Sequence, residues 1–395
     1  MSGTGTQQER GASHPQAPSR PIYSVVIPTF NRAGYVVDAV ESVLRQTAED
    51  IEVVVVDDGS TDDTSERLAP YAGRVIYVRT ENQGPALARN EGMRRARGEY
   101  VAWLDSDDLY YPFKLRLQAA VLERFPEVGF VCSDSSAFDD AGYFDEWHLH
   151  EYHRSAYRSG GLTYDRLFQS KVPLAQLPFA AAILADSSPA WLEHNLYIGT
   201  IYEAYLKDIV VFTTTIMFRR DLLQRVGLQE PRFGMFHDLE FALRICKHFP
   251  VAFLDVPTYK LRYHSGQIST TFGPERGRIA LRKQRDLLRV LVAHGVDDRE
   301  YYVAHKSSMD RQQARLCRAI AIPMMSLCQG SPHEDKYFPR RARRYLCRCA
   351  VLGHPEWFLW LLSFAPHSLR RAGFAAQGLG RRLVGRLMGR KRRHD

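Results

Sequence analysis

The sequence predicts an α/β fold: a mostly parallel sheet flanked by helices, followed by a helical C-terminal extension. Three observations carry this. β-rich runs alternate with helix-like segments over the first 135 residues, and connections of that length join parallel strands. Glu52–Val56 is a nearly continuous valine run, as expected of a strand buried on both faces. After Gly273 the pattern is helical throughout, to about Cys349.

The elements follow in order. Residues 1–20, rich in Gly, Ser, Gln and Pro, have the composition of a disordered tail and lack the apolar stretch of a secretory signal. Ile22–Ile27 is a first strand, ended by Pro28. Tyr35–Arg45 places Val36, Val37, Val40, Val43 and Leu44 on one helical face. Glu52–Val56 is the second strand, and Ser60 with Asp63 forms a capping pattern for the next helix. Arg74–Arg79 is a third strand. Pro85–Arg97 reads as a helix with proline near its start and Gly98 at its end. Tyr100–Leu104 is a fourth strand, Pro112 opens a helix carrying Leu115, Leu117, Val121, Leu122 and Phe125, and Val128–Ser133 is a fifth strand. From Phe138 to Tyr205 the pattern loosens into an insertion with one or two helices. Ile209–Phe218 is strand-like, Met235–His248 helical, and Ala252–Leu254 a short strand.

Composition bounds the function. A chain of 395 residues with 45% apolar content can bury its core without disulfides. Six scattered cysteines form no CxxC pair and read as free thiols in a reducing compartment. No apolar run approaches the roughly 18–20 residues that span a bilayer, so a soluble or peripheral, cytoplasmic protein is expected. Net charge is +8, and the segment from Arg370 onward alone holds nine Lys/Arg against one acid. The remaining body sums to near neutrality, which argues against nucleic-acid binding and fits a basic tail at a membrane surface. Residues 357–393 combine Trp357, Trp360 and leucines with arginines, a basic amphipathic stretch of the interfacial kind.

Three turn clusters follow three strands: Pro28-Thr29-Phe30-Asn31-Arg32, Asp57-Asp58-Gly59-Ser60 and Asp105-Ser106-Asp107-Asp108. Ligand-binding groups in parallel sheets lie past the carboxyl ends of strands, so the three clusters should converge on one edge. Five carboxylates there repel one another unless a cation answers them. Mg²⁺ or Mn²⁺, which takes one or two protein carboxylates and shares substrate phosphate oxygens, is the simple answer.

SVVIPTFNRAGYVVDAVESVLRQT, VVVDDGSTDDT and ENQGPALARNEGMRRARGEYVAWLDSDD together resemble the N-terminal half of family 2 glycosyltransferases with the GT-A fold. The match runs from about Tyr23 to Phe125 and continues more loosely to about Thr271. The resemblance implies inverting transfer of one sugar from a nucleotide diphosphate donor, usually a UDP-sugar, to a hydroxyl acceptor. Surface polysaccharide or glycolipid synthesis is the expected setting, and the acceptor is lipid-linked in many such enzymes. It implies a GT-A domain over 21–275, with a nucleotide-sugar half (21–135) and an acceptor and base half (136–275). A helical extension (276–366) and the basic tail (367–395) follow.

Carried over residue by residue, the resemblance sets Pro28, Thr29, Asp57 and Asp58 against the nucleoside. Asp105 and Ser106 fall near the ribose or sugar, and Asp107 is the metal ligand. Gly84 allows close backbone approach, and Arg89 faces the donor or, alternatively, ties its helix to neighbouring loops together with Asn90. Asp108 holds the loop. Asp238, in Phe236-His237-Asp238-Leu239-Glu240, aligns with the catalytic base, although His237 stands where the family usually has an acid and could itself take a proton. Arg262-Tyr263-His264, followed by Ser269, resembles the segment that closes over the diphosphate, with His264 at the metal. Other readings fare worse. A haloacid-dehalogenase-type phosphatase needs a nucleophilic Asp where Pro28-Thr29 stands, and a dinucleotide oxidoreductase needs a GxGxxG that is missing. Processive synthases carry membrane spans and a tryptophan motif that this chain lacks. A degenerate transferase acting as a binding or scaffold protein is the alternative.

Overall fold

The computed structural model describes residues 21–185, 188–267, 276–326 and 332–365. The expected N-terminal tail, Ser269 and the basic tail from residue 367 lie outside the described residues. Among the described residues the sheet has eleven strands: β1 (Tyr23–Thr29), β2 (Ile51–Asp57), β3 (Ile76–Arg79), β4 (Tyr100–Trp103), β5 (Leu109–Tyr110), β6 (Phe130–Asp139), β7 (Gly142–Asp145), β8 (Ser170–Pro173), β9 (Asn195–Gly199), β10 (Met217–Arg219) and β11 (Val251–Arg262). Their order is β3-β2-β1-β4-β10-β6-β11-β9-β8, with β5 on β11 and β7 on β6. The nucleotide half, β3-β2-β1-β4, is parallel throughout, in the register Thr29 opposite Asp57 opposite Arg79. β10 enters antiparallel between β4 and β6 and makes the whole sheet mixed.

Helices α1 (Val36–Leu44), α2 (Thr64–Leu68), α3 (Pro85–Arg95) and α4 (Lys114–Arg124) connect the strands of the first half, and α5 (His237–Cys246) precedes β11. α1 buries Val36, Ala39, Val40 and Val43, the face read from the sequence. α3 packs tightly on β1: a Cβ at Gly92 would lie 2.2 Å from Val26 Cγ1. β1 and β2 are buried on both faces, with Val25 and Ile27 in one core and Val26 in the other.

Four expectations need correction. Of the 209–218 segment only Met217 and Phe218 pair, in the strand that runs on to Arg219, because Thr213–Thr215 closes a 3₁₀ turn. The strand expected at 252–254 continues to Arg262, since its polar second half pairs with the extended β6 and with β5. The 138–205 insertion contributes β8 and β9 to the sheet as well as short helical turns. Ser60 does not cap α2; its backbone N–H binds Asp57 Oδ1, and Asp62 takes the Thr64 N–H and hydroxyl.

The helical extension comprises α6 (Arg276–Gly295), α7 (Arg299–Ser326), α8 (Pro332–Val351) and α9 (Trp357–Leu362). Val290, Leu291, Met309 and Leu316 join the core under β4 and α5. Leu281, Ile320, Met324, Met325, Ala342, Leu346 and Leu359 build a smaller core of the extension's own. Glu240 on α5 pairs with His294 on α6 at 3.1 Å, and Lys247 with Asp298 at 2.5 Å.

Candidate active site

The loops after β1, β2 and β4 meet at the carboxyl edge of the parallel half. Asp57 is fully buried: Oδ1 accepts from Ser60 N at 2.8 Å and Oδ2 from the Tyr77 hydroxyl at 2.6 Å. Asp58 accepts from the backbone N–H of Gln83 (2.9 Å) and Gly84 (2.7 Å), so it shapes the turn into α3. Gly84 sits there at φ 93, a conformation open to glycine. The first loop is tied to the second through Asn31 N to Ser60 Oγ (2.9 Å) and Thr61 N to Asn31 Oδ1 (2.8 Å). Pro28 lies in β1 opposite Val56, and Thr29 Oγ1 is buried with no hydrogen-bond partner.

In the third cluster the carboxylates face different ways. Asp105 is paired with the guanidinium of Arg89, which is itself buried. Burial raises the Asp105 carboxyl above its usual range despite that partner, and the nearby Asp107 and Asp238 add to the rise. Ser106 is buried in the turn. Asp108 is also buried and accepts from the Tyr259 hydroxyl (2.8 Å) and Arg262 N (2.7 Å). Desolvation, with Asp107 and Asp105 beside it, pushes it well up. It fastens the loop to β11, the role expected of it.

Asp107 Oδ2 is 3.1 Å from His264 Nε2 and 3.5 Å from Arg32 Nε. His264 Nδ1 lies 3.2 Å from Gly266 N, so Nε2 is the ring nitrogen that faces Asp107. Arg32 also donates to Gly266 O at 2.8 Å. The sequence reading placed Arg32 in the first turn cluster without a role; its side chain reaches the third cluster and the end of β11.

Asp238 opens α5 and is partly exposed. Its carboxylate accepts the Thr213 hydroxyl and the Leu239 N–H, the latter at 2.8 Å. The charges of both Asp105 and Asp238 act on Arg89, so a segment 133 positions beyond Asp105 arrives at the same edge. His237 is buried instead, with Nδ1 2.8 Å from Gln229 Oε1. Burial holds its imidazole down at about 4, with Asp238 opposing and Arg89 reinforcing the shift. Asn90 bonds both backbone groups of Gln229, at 2.8 and 2.9 Å, and is thus a tie between α3 and this loop. Thr213 and Gln229 carried no sequence signal, because their partners are far away in the chain.

Among the described residues no three His, Cys, Asp or Glu side chains converge on one point. Asp107 and His264 supply one carboxylate and one imidazole on one side. That donor set fits Mn²⁺ or Mg²⁺ arriving with a diphosphate whose oxygens fill the remaining positions.

The profile of glycosyl transferase family 2 matches residues 24–227, just over half of the sequence. The chain belongs to this family. Its match covers β1 to α3, the Asp105–Asp108 turn and Thr213, and stops before Asp238. An uncharacterized glycosyltransferase of Rickettsia felis is 44% identical over 115 residues, 29% of this chain and 19% of that one. A putative teichuronic acid biosynthesis glycosyltransferase, TuaG of Bacillus subtilis, is 40% identical over 129 residues, 31% of this chain and 47% of its own. This family member thus spans about a fifth of the Rickettsia relative and about half of the Bacillus one. Among solved structures, S. aureus TarS 1-349 with UDP-GlcNAc aligns over 89% of this chain and 92% of its own, at 17% identity and TM-score 0.45. A Pyrobaculum calidifontis mannosyltransferase with GDP-Man and Mn²⁺ aligns over 85% and 87%, at 19% and 0.47. Both scores fall under 0.5, too low to carry substrate or mechanism across.

Proposed function

We propose that this chain transfers a single sugar, with inversion, from a nucleotide diphosphate donor to a hydroxyl acceptor, with Mn²⁺ or Mg²⁺ at Asp107 and His264. The observation that carries the reading is the meeting of Asp105, Arg89 and Asp238 at one sheet edge, with Asp107 and His264 beside them. A UDP-sugar is the donor in view of the family resemblance. Pro28, Thr29, Asp57, Asp58 and Gly84 form the nucleoside side, and the partnerless Thr29 hydroxyl supports a contact there. Asp105 and Ser106 lie toward the sugar.

Asp238 takes the proton of the acceptor hydroxyl as that oxygen attacks the anomeric carbon in line with the departing diphosphate. The Thr213 hydroxyl and Leu239 N–H hold its carboxylate in position. His237 is turned into the core toward Gln229 and leaves the proton transfer to Asp238. A bound divalent ion would act as a Lewis acid for the leaving diphosphate. Arg32 and Arg89 bring positive charge to the same edge.

We assign 21–275 to the transferase domain, with 136–275 contributing the base, and 276–366 to a helical extension. No described helix is long and apolar enough to cross a membrane. Exposed Trp357, Phe358, Leu361 and Phe364 support peripheral contact with the anionic cytoplasmic face of a membrane, where a lipid-linked acceptor would be met. The test is a panel of nucleotide diphosphate sugars titrated with Mn²⁺ or Mg²⁺ and with EDTA, using the protein and Asp107→Ala. One donor should bind saturably and metal-dependently, and Asp107→Ala should weaken that binding at least tenfold and nearly abolish transfer. Equal donor binding by the two proteins overturns the reading.

A further inference from the structure

Lys114 opens α4, four residues before Gln118, so the two side chains share one helix face. That face is turned into the sheet: Lys114, Gln118, Ser133, Thr215 and Thr258 are all fully buried. Lys114 Nζ donates to Gln118 Oε1 at 2.7 Å and to the Thr215 carbonyl at 2.8 Å, and lies 3.5 Å from Thr258 Oγ1. Gln118 Nε2 donates to the same carbonyl at 2.9 Å. The amine also lies 4.8 Å from the centroid of the Tyr110 ring.

Among the described residues no carboxylate pairs with Lys114, and burial drives its amine well below the ordinary lysine range. A buried amine without a counter-charge is costly. A methionine, of similar length, would fill the same space without that cost. Packing therefore does not account for a lysine here, whereas its hydrogen bonds do.

The carbonyl that it holds belongs to the 3₁₀ turn Thr213–Thr215. Thr215 is clamped from β6 as well: its Oγ1 accepts from Ser133 N at 3.1 Å and donates to Phe212 O at 2.8 Å. Ser133 Oγ is in turn 2.7 Å from Thr258 Oγ1 on β11. Three elements thus fasten one end of a three-residue turn, which closes on itself through Thr215 N to Phe212 O and Ile216 N to Thr213 O, both 3.2 Å. At the other end stands Thr213, whose hydroxyl donates to Asp238 Oδ2.

We propose that Lys114 is a positioning residue for the transfer: with Gln118 it fixes the Thr215 carbonyl, and through the turn it sets the Thr213 hydroxyl against Asp238. The proposal rests on the reading of Asp238 as the base. Lys114 has no exposed surface and acts through the turn alone.

The assay is release of nucleoside diphosphate from UDP-glucose, UDP-GlcNAc and GDP-mannose with Mn²⁺, water serving as acceptor, on the full chain. Lys114→Met keeps the length of the side chain and removes its donors. Turnover should fall at least tenfold while donor affinity, measured by calorimetry, stays within twofold. The deciding measurement is coupling to Thr213. Thr213→Val has already lost the contact with Asp238, so adding Lys114→Met to it should cost less than a further twofold. In Thr213→Ser, which keeps the hydroxyl, Lys114→Met should again cost at least tenfold. Melting temperature checks folding. If Lys114→Met does not fold, Gln118→Met, which removes the second donor to the same carbonyl, should show the same pattern with a loss of at least threefold.

Turnover of a folded Lys114→Met within twofold of the unmodified protein overturns the proposal. So does an equal further loss in the Thr213→Val background, or a fall in donor affinity that matches the fall in turnover, because either assigns Lys114 to the framework of the whole site. The same outcomes from Gln118→Met overturn it where that variant stands in. Asp238→Asn separates the two readings. Full turnover by Asp238→Asn, or no metal-dependent release from any donor by the unmodified protein, overturns the transferase reading and this proposal with it. A slow Asp238→Asn beside a normal Lys114→Met overturns the role of Lys114 alone.

Discussion

Asp238 and His237 are neighbours in the chain with opposite surroundings, and substitution separates them. Asp238 is partly exposed and held by Thr213 and Leu239, whereas His237 is enclosed against Gln229. Asp238→Asn removes a proton acceptor without removing volume. It should lower turnover by about 10²–10⁴-fold with donor affinity unchanged. His237→Asn should leave turnover within a few-fold, and the reverse pattern in steady-state kinetics would make His237 the base. His237 also predicts a pH effect. Burial holds its folded pKa at about 4, below the unfolded value of 6.5. Above pH 6.5 neither state binds the proton and the site is neutral to stability. As pH falls from 6.5 to 4 the unfolded chain takes the proton first, and stability declines by about 3 kcal/mol in total. His237→Asn should flatten that part of the decline in urea melts between pH 7 and 4.5. An unchanged slope would place the lost stability elsewhere, with the buried His153 the next candidate.

At the scale of elements, α3 decides how close the proposed donor side comes to the proposed base. It carries Arg89 toward Asp105, and Asn90 clamps the loop that carries Gln229. Its seat on β1 depends on Gly92, whose missing side chain leaves room for Val26. Gly92→Ala gains about 1 kcal/mol of helix preference but overpacks the interface, which typically costs about 1–3 kcal/mol. A net loss of stability is expected, together with weaker donor binding because Arg89 shifts with the helix. A higher melting temperature would mean that α3 has slack against the sheet. α1 was legible in the sequence because it buries a regular face, β2 because it is a continuous valine run, and α3 because proline opens it and Gly98 follows it. β8, β9 and the polar half of β11 were not. Their strand character comes from the partner at the sheet edge more than from their own alternation.

The whole molecule pairs an acidic stretch, residues 1–275, with a basic stretch from residue 276 onward. α9 and the turn after it present Trp357, Phe358, Leu361 and Phe364 to solvent, and the tail that follows adds nine Lys/Arg. Each basic residue near an anionic leaflet contributes roughly 1 kcal/mol, so the tail should dominate vesicle binding. Deleting residues 367–395 is expected to release the protein from anionic vesicles at low salt while leaving activity on a soluble acceptor analogue. Equal vesicle binding by both proteins in a flotation assay would remove the tail from this role.

The sequence by itself determined the parallel half of the sheet, the convergence of three turn clusters at one edge and the family. Those features rest on local periodicity, on strand ends with fixed polarity and on a multi-part motif, all written in contiguous stretches. The division of labour among the carboxylates was decided by tertiary structure. Asp107 beside His264, Asp105 on Arg89, Asp108 on Tyr259 and Arg262, and His237 turned away from the edge all depend on partners 16 to 157 residues away or on burial. A carboxylate's role is set by which charges and donors surround it in a region of low dielectric, and chain order does not encode that neighbourhood locally.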